Sequence, residues 1–325
     1  MIRTIVIPDD TQNAVRGLNC FSNLAGYDVT VYTDTVRDLD QLVERFQDAD
    51  ALVLTRERTA ISRTLIERLP RLKLISQTGR GTAHIDVAAC TEHKIAVAVG
   101  DGTPYAPAEL TWALIMASMR HLPDQVESMR AGKWGTRIGR VVRGRTLGIF
   151  GYGKIGSVVA GYGRAFGMRV LVWGREGSLE RARKDGFETA ASQRDFFEHA
   201  DIVSLHIKLI KETAGIVTGD DLAAMKPDAL IVNTSRAELI APGALIEALK
   251  AGRPGYAALD VYEREPITEP DYPLMNMPNV ICTPHLGYVE RDTYELYFGQ
   301  AFDSVTAFAA GEPQGVINPD ALRSS

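Results

Sequence analysis

Along the first hundred residues, short apolar runs alternate with amphipathic stretches. Residues 4–7, 28–32, 51–54, 72–77 and 96–99 are apolar and β-branched enough to form buried strands. Residues 39–46 and 61–69 place their apolar side chains at helical spacing, and Pro70 closes the second stretch. Strand, helix and strand at this rhythm predict a parallel sheet covered on both faces. Turn chemistry at Gly100-Asp101-Gly102-Thr103-Pro104 interrupts the series, and a long apolar segment then runs from Pro107 to Leu122, ending before Pro123. A second α/β series begins near Thr146. Its strands are predicted at 146–150, 169–173, 202–206, 229–233, 256–261 and 280–283, and its helices at 155–166, 179–184, 193–199 and 243–251. A final helical segment, 291–310, follows Pro284. The expected architecture is α/β with two domains. Residues 1–101 and 287–325 form a discontinuous domain, completed by the last helix, and residues 102–286 form the other.

Composition narrows the class. With 325 residues, 45% apolar and 24% charged, the chain can bury two cores without a disulfide or metal staple. Lys plus Arg total 36 against 41 for Asp plus Glu, a formal charge of −5, which argues against nucleic acid as the main partner. Basic groups are therefore expected to act locally, on a small anion. Cys20, Cys90 and Cys282 lie far apart with no CxxC pair, a reduced, cytoplasmic pattern. The first ten residues read as a strand rather than a signal peptide, and no apolar run reaches the roughly 18 residues of a membrane span.

The sharpest motif is Gly151-Tyr152-Gly153-Lys154-Ile155-Gly156, placed directly after a buried strand and opening a helix. In a GxGxxG turn the first glycine allows the tight bend and the second lets backbone amides approach a pyrophosphate. The third lets helix and strand pack closely. The helix N-terminus then offers unpaired N–H groups to the phosphates. At the tip of the next strand, an NAD site would place an acidic residue to accept the ribose hydroxyls. Here the tip is Gly174-Arg175-Glu176. Arg175 suits a 2′-phosphate, which favours NADP over NAD, although Glu176 offers an acidic group one position later.

Three further strand ends carry polar groups: Asn233-Thr234-Ser235-Arg236, Asp260-Val261-Tyr262-Glu263-Arg264-Glu265-Pro266, and Thr283-Pro284-His285-Leu286-Gly287. Ligands of open α/β sheets bind beyond the carboxyl ends of strands, so these tips are expected to converge on one side. With the Gly79-Arg80-Gly81 to Ile85-Asp86 loop and the GxGxxG, they form an ordered set over nearly the whole chain. That set resembles the D-isomer-specific 2-hydroxyacid dehydrogenases, the family of D-3-phosphoglycerate, glyoxylate/hydroxypyruvate and D-lactate dehydrogenases. The resemblance implies a Rossmann dinucleotide-binding domain beside a flavodoxin-like substrate-binding domain, with a cleft and a homodimer joined through elements such as the helix after Pro107. It implies a catalytic trio of Arg236, Glu265 and His285. Cofactor contacts are implied at Gly151, Gly153, Lys154, Ile155, Gly156, Gly174, Arg175, His206, Thr234, Asp260 and His285.

Reducing a 2-keto acid adds hydride to the carbonyl carbon and a proton to its oxygen, and a histidine can move that proton near neutral pH. A carboxylate such as Glu265 would orient the ring, and Arg236 offers a planar fork to the substrate carboxylate. The resemblance further implies that backbone amides of Arg80 and Gly81 hold that carboxylate. Arg80 itself, Arg56 and Arg58 are added candidates, weakened by Glu57 between the last two, and Tyr288 is a pocket-lining candidate. Departures from the family pattern are His206-Ile207-Lys208, where His-x-Pro is common, and helix glycines Gly161 and Gly163, expected to loosen the helix. Cys282 with His285, and His84, Asp86, Cys90 and His93, do not supply four zinc positions, so no metal is expected. The leading expectation is an NAD(P)-dependent D-2-hydroxyacid dehydrogenase or 2-keto acid reductase acting on a small molecule. The rivals are a dinucleotide-sensing binding protein resembling the C-terminal binding protein corepressors, and a phosphite or formate dehydrogenase of the same superfamily.

Overall fold

The computed structural model describes residues 2–323 and divides into two units, one running up to Thr103 and resuming at Glu290, the other spanning Pro104–Val289. The first unit is built on strands β1 (Thr4–Ile7), β2 (Asp28–Val31), β3 (Ala51–Leu54), β4 (Leu74–Gln77) and β5 (Ala96–Val99). They form one parallel sheet in the order β2-β1-β3-β4-β5. This is the flavodoxin order, with its reversal between β1 and β3. Every residue of β3 and β4 is buried, which explains the continuous apolar run of β3, while β4 ends on buried Ser76 and Gln77. Helices α1 (Leu39–Phe46), α2 (Arg63–Ile66) and α3 (Val87–Glu92) connect the strands. The C-terminal helix Arg291–Ala309 packs on β4 through buried Phe298, Phe302 and Val305, and Ser76 Oγ donates to the Ala301 carbonyl at 2.9 Å.

The second unit carries β6 (Thr146–Phe150), β7 (Arg169–Trp173), β8 (Glu188–Thr189), β9 (Ile202–Leu205), β10 (Leu230–Asn233), β11 (Tyr256–Leu259) and β12 (Val280–Cys282). The sheet is parallel in the order β12-β11-β10-β9-β6-β7-β8. Counted from β6, this is the doubly wound 3-2-1-4-5-6 order with a seventh strand at one edge. Its helices are α4 (Tyr105–Met119), α5 (Leu122–Arg130), α6 (Lys154–Ala165), α7 (Glu176–Lys184), α8 (Gln193–His199), α9 (Gly219–Ala224) and α10 (Ala244–Lys250). The α/β class and both sheet types are as expected from the sequence.

Several local expectations change. The apolar segment from Pro107 to Leu122 is α4 broken at His121, whose left-handed φ of 51° redirects the chain into α5. Pro123 is thus a helix opener rather than a terminator, since its missing N–H is unneeded in a first turn. Helices α3 and α9 were hidden in short, weakly periodic segments, although Thr218 and Asp221 form a capping box for α9. Gly163 does not merely loosen α6: a Cβ there would lie 2.6 Å from Leu147 Cδ2, so the glycine allows helix and strand to touch. Among the described residues no helix is long and apolar enough to cross a membrane.

Candidate active site

The fingerprint turn joins β6 to α6. Gly151 has φ of 100°, and a Cβ there would fall 2.8 Å from the His206 carbonyl oxygen. At Gly156 a Cβ would overlap the carbonyl oxygen of Gly151, whereas nothing lies within 4 Å of the corresponding position at Gly153. Two glycines are therefore demanded by packing, and the third leaves backbone open to a ligand. Gly153 caps α6 without a side-chain hydrogen bond, so the first-turn amides at Lys154 and Ile155 are available to an anion. These features fit a dinucleotide pyrophosphate.

Beyond this turn lies a cavity of about 640 Å³ lined by Gly151, Gly153, Gly174, Arg175, Arg181, His206, Ile207 and Lys208, with Phe150, Trp173, Ile210 and Ile216 as apolar wall. Its volume suits a nucleoside. Arg175 precedes α7, is exposed, and makes no capping hydrogen bond. Glu176, the acidic alternative at this tip, is bonded to Arg183 at 2.7 Å. The His206 ring shares a 2.9 Å hydrogen bond with Ser204 Oγ, and burial pushes its pKa down to about 4, making it a neutral wall at physiological pH.

The tips of β10, β11 and β12, adjacent in the sheet, carry the three expected catalytic residues. His285 sits in a left-handed turn (φ 54°) with Nδ1 2.5 Å from Glu265 Oε2. Glu265 Oε1 accepts the Tyr262 N–H at 3.1 Å. The Tyr288 ring meets the imidazole edge-to-face at 5.8 Å. Arg236 is half-buried, and its turn is clamped by Asn233, whose side chain donates to the Arg236 carbonyl and accepts from Ser235 N–H.

Asp260, expected at the cofactor, turns its carboxylate to the histidine loop. It accepts from Thr283 Oγ1 at 2.6 Å and from the N–H groups of Leu286 (2.7 Å) and Gly287 (2.9 Å). Burial pushes its pKa up, and these hydrogen bonds pull in the opposite direction. Tyr262 adds a bond from its hydroxyl to the Thr283 carbonyl at 2.9 Å. The holding roles of Tyr262, Asn233 and Thr283 were not read from the sequence, since nothing in their spacing marks a residue that holds another. Thr234 shares a 2.7 Å hydrogen bond with Thr111 of α4.

The substrate candidates of the first unit make contacts within that unit. The Arg80 side chain is 73% exposed and bonded to Asp101 at 2.7 Å, so its charge is already matched. Arg56 has φ of 55°, donates from Nη1 to the Thr78 carbonyl at 3.1 Å, and lies over the Tyr297 ring at 5.2 Å. Its guanidinium is folded back onto its own unit. At Gly81 a Cβ would meet the Glu57 carboxylate, so the Glu57 side chain packs directly over this backbone.

Residues 112–287 match the family model described as D-isomer specific 2-hydroxyacid dehydrogenase, NAD binding domain. The chain is 36% identical over 296 residues to a glyoxylate reductase of Aeropyrum pernix, covering 87% of each protein. It is 39% identical over 251 residues to a D-3-phosphoglycerate dehydrogenase of Methanocaldococcus jannaschii, covering 76% of this chain and 47% of that protein. A solved phosphoglycerate oxidoreductase from Vibrio cholerae superposes with TM-score 0.92 at 52% identity, covering 96% of this chain and all of the other. The D-lactate dehydrogenase of Aquifex aeolicus, solved with NAD and lactic acid, gives 0.77 at 25% identity, covering 97% and 99%. The chain belongs to the D-isomer specific 2-hydroxyacid dehydrogenase family, and its second unit carries that family's NAD-binding domain.

Proposed function

We propose that this protein is an oxidoreductase interconverting a D-2-hydroxy acid and its 2-keto acid, with NADP preferred over NAD. The observation that carries the reading is the 2.5 Å pairing of His285 with Glu265, at the same sheet edge as Arg236 and in the unit that holds the glycine fingerprint. The nicotinamide, when bound, supplies or accepts the hydride. With Nδ1 engaged by Glu265, Nε2 of His285 is the atom that gives a proton to the carbonyl oxygen in reduction and removes it in oxidation. The Glu265 carboxylate holds the ring in place, and Arg236 pairs with the substrate carboxylate. Lys154 and Ile155 amides meet the pyrophosphate, while His206 and Thr234 border the cofactor. In the first unit, the backbone amides of Arg80 and Gly81 are the substrate contacts. Arg175 and the diversion of Glu176 to Arg183 support the NADP preference.

A homodimer is part of this reading. Helix α5 buries no residue, and apolar side chains are exposed along it and the following arm, including Met129, Trp134 (89%), Ile138 (93%) and Val141. Three free cysteines support a reducing, cytoplasmic setting.

The test is reduction of glyoxylate, hydroxypyruvate, pyruvate and longer 2-keto acids with NADPH and with NADH. Turnover of at least one, faster with NADPH, is expected. Absence of all turnover overturns the reading, and phosphite-dependent reduction of NAD or NADP would replace it.

A further inference from the structure

Many arginines of this acidic chain pair with Asp or Glu of their own unit, but the basic groups at the cavity beside Gly174 do not. Arg175, Arg181 and Lys208 all line it, and none makes an ion pair among the described residues. Arg181 lies two turns into α7, yet its guanidinium reaches back across the first turn. Nη2 donates to the Tyr152 carbonyl of the fingerprint at 3.0 Å and lies 3.5 Å from Ser178 Oγ. Ser178 Oγ in turn accepts the Tyr152 N–H at 2.9 Å. One guanidinium nitrogen is thus anchored to the glycine turn, and Nη1 lies near the start of α7, 3.8 Å from where a Cβ on Gly177 would sit. Glu176, the carboxylate that would repel a phosphate here, is held away by Arg183.

We propose that Arg181 is the second arginine of a 2′-phosphate seat, acting with Arg175 and assisted by Lys208. It sets NADP specificity from within α7 rather than from the strand tip. This rests on the NADP reading above. Two separated guanidinium groups suit a dianionic phosphate, because each donates charge-assisted hydrogen bonds to different oxygens. Lys208 brings a third positive charge from the loop after β9, where a proline would bring none.

Calorimetric binding of 2′,5′-ADP and 5′-AMP to the whole protein tests it without turnover. The unaltered protein is expected to bind 2′,5′-ADP at least about tenfold more tightly, the scale of one charged hydrogen bond. Arg181→Ala should reduce that ratio to below about threefold while 5′-AMP binding changes little, and Arg181→Lys should recover part of it. Equal weakening of both ligands by Arg181→Ala would assign the residue a structural role through Tyr152 and overturn the proposal. So would a ratio retained in Arg181→Ala but abolished in Arg175→Ala, an outcome that leaves the NADP preference standing. A ratio near one in the unaltered protein would remove the NADP preference itself.

Discussion

His285 shows how far the setting of a side chain is decided by its neighbours. Its type and its place after Thr283-Pro284 are visible in the chain, but its orientation rests on contacts from the single loop that follows β11. Glu265 fixes Nδ1, Asp260 holds the backbone at Leu286 and Gly287, and Tyr262 ties down Thr283. His285→Ala is expected to lower kcat by at least about 10²-fold while cofactor binding persists, as removal of a general acid–base group does. Cofactor titration by fluorescence beside steady-state rates checks this, and near-normal turnover would reject the assignment. Arg236, Glu265 and His285 could be read from motif order. The pairing of Arg80 with Asp101 could not, because an exposed arginine chooses its partner from whatever the fold brings near. The same holds for Arg181, whose spacing on α7 gives no sign that it reaches the fingerprint turn.

All strands but the two-residue β8, and most helices, followed from apolar periodicity, and the errors cluster where an element is short or where a proline can either end or begin a helix. Each sheet is pinned by an aspartate just ahead of a central strand. Asp50 precedes β3 and accepts the N–H groups of Arg3 and Thr4 and the Lys73 ammonium, all within 2.9–3.1 Å. Asp201 precedes β9 and accepts from Thr146 N–H and Lys226. Burial alone would raise the pKa of Asp50, but the Lys73 bond and the two backbone donors outweigh it and hold it at about 2. A depressed folded-state pKa contributes stability that is complete above the unfolded value near 4 and is lost as pH falls toward 2. Asp50→Asn should therefore destabilise the first unit by about 2 kcal/mol at pH 7. In thermal melts, the gap between the two proteins should close as pH drops from about 4 to about 2. A gap independent of pH would show that the carboxylate charge is not what matters.

Among the described residues, the most exposed large apolar side chains, Trp134 and Ile138, lie on the arm after α5. The arm after α5 is pinned to it by Arg137–Asp124 and by Gln125, which donates to the Arg137 carbonyl, so Trp134 and Ile138 are presented rather than tucked away. Trp134→Glu combined with Ile138→Glu should convert a dimer to a monomer in light scattering, with circular dichroism unchanged. A monomeric unaltered protein would reject the dimer. What the sequence determined alone was whatever is periodic or contiguous: the α/β class, most of the strand series, the glycine turn and the order of Arg236, Glu265 and His285 along the chain. These depend on local sterics and on burial repeated every two or 3.6 residues. Tertiary structure alone decided which charges meet. It set Glu176 against Arg183, Arg80 against Asp101, Asp260 against the histidine loop and Arg181 against Tyr152. Long polar side chains have many rotamers and no periodic signature, so their partners are settled only when distant segments pack together.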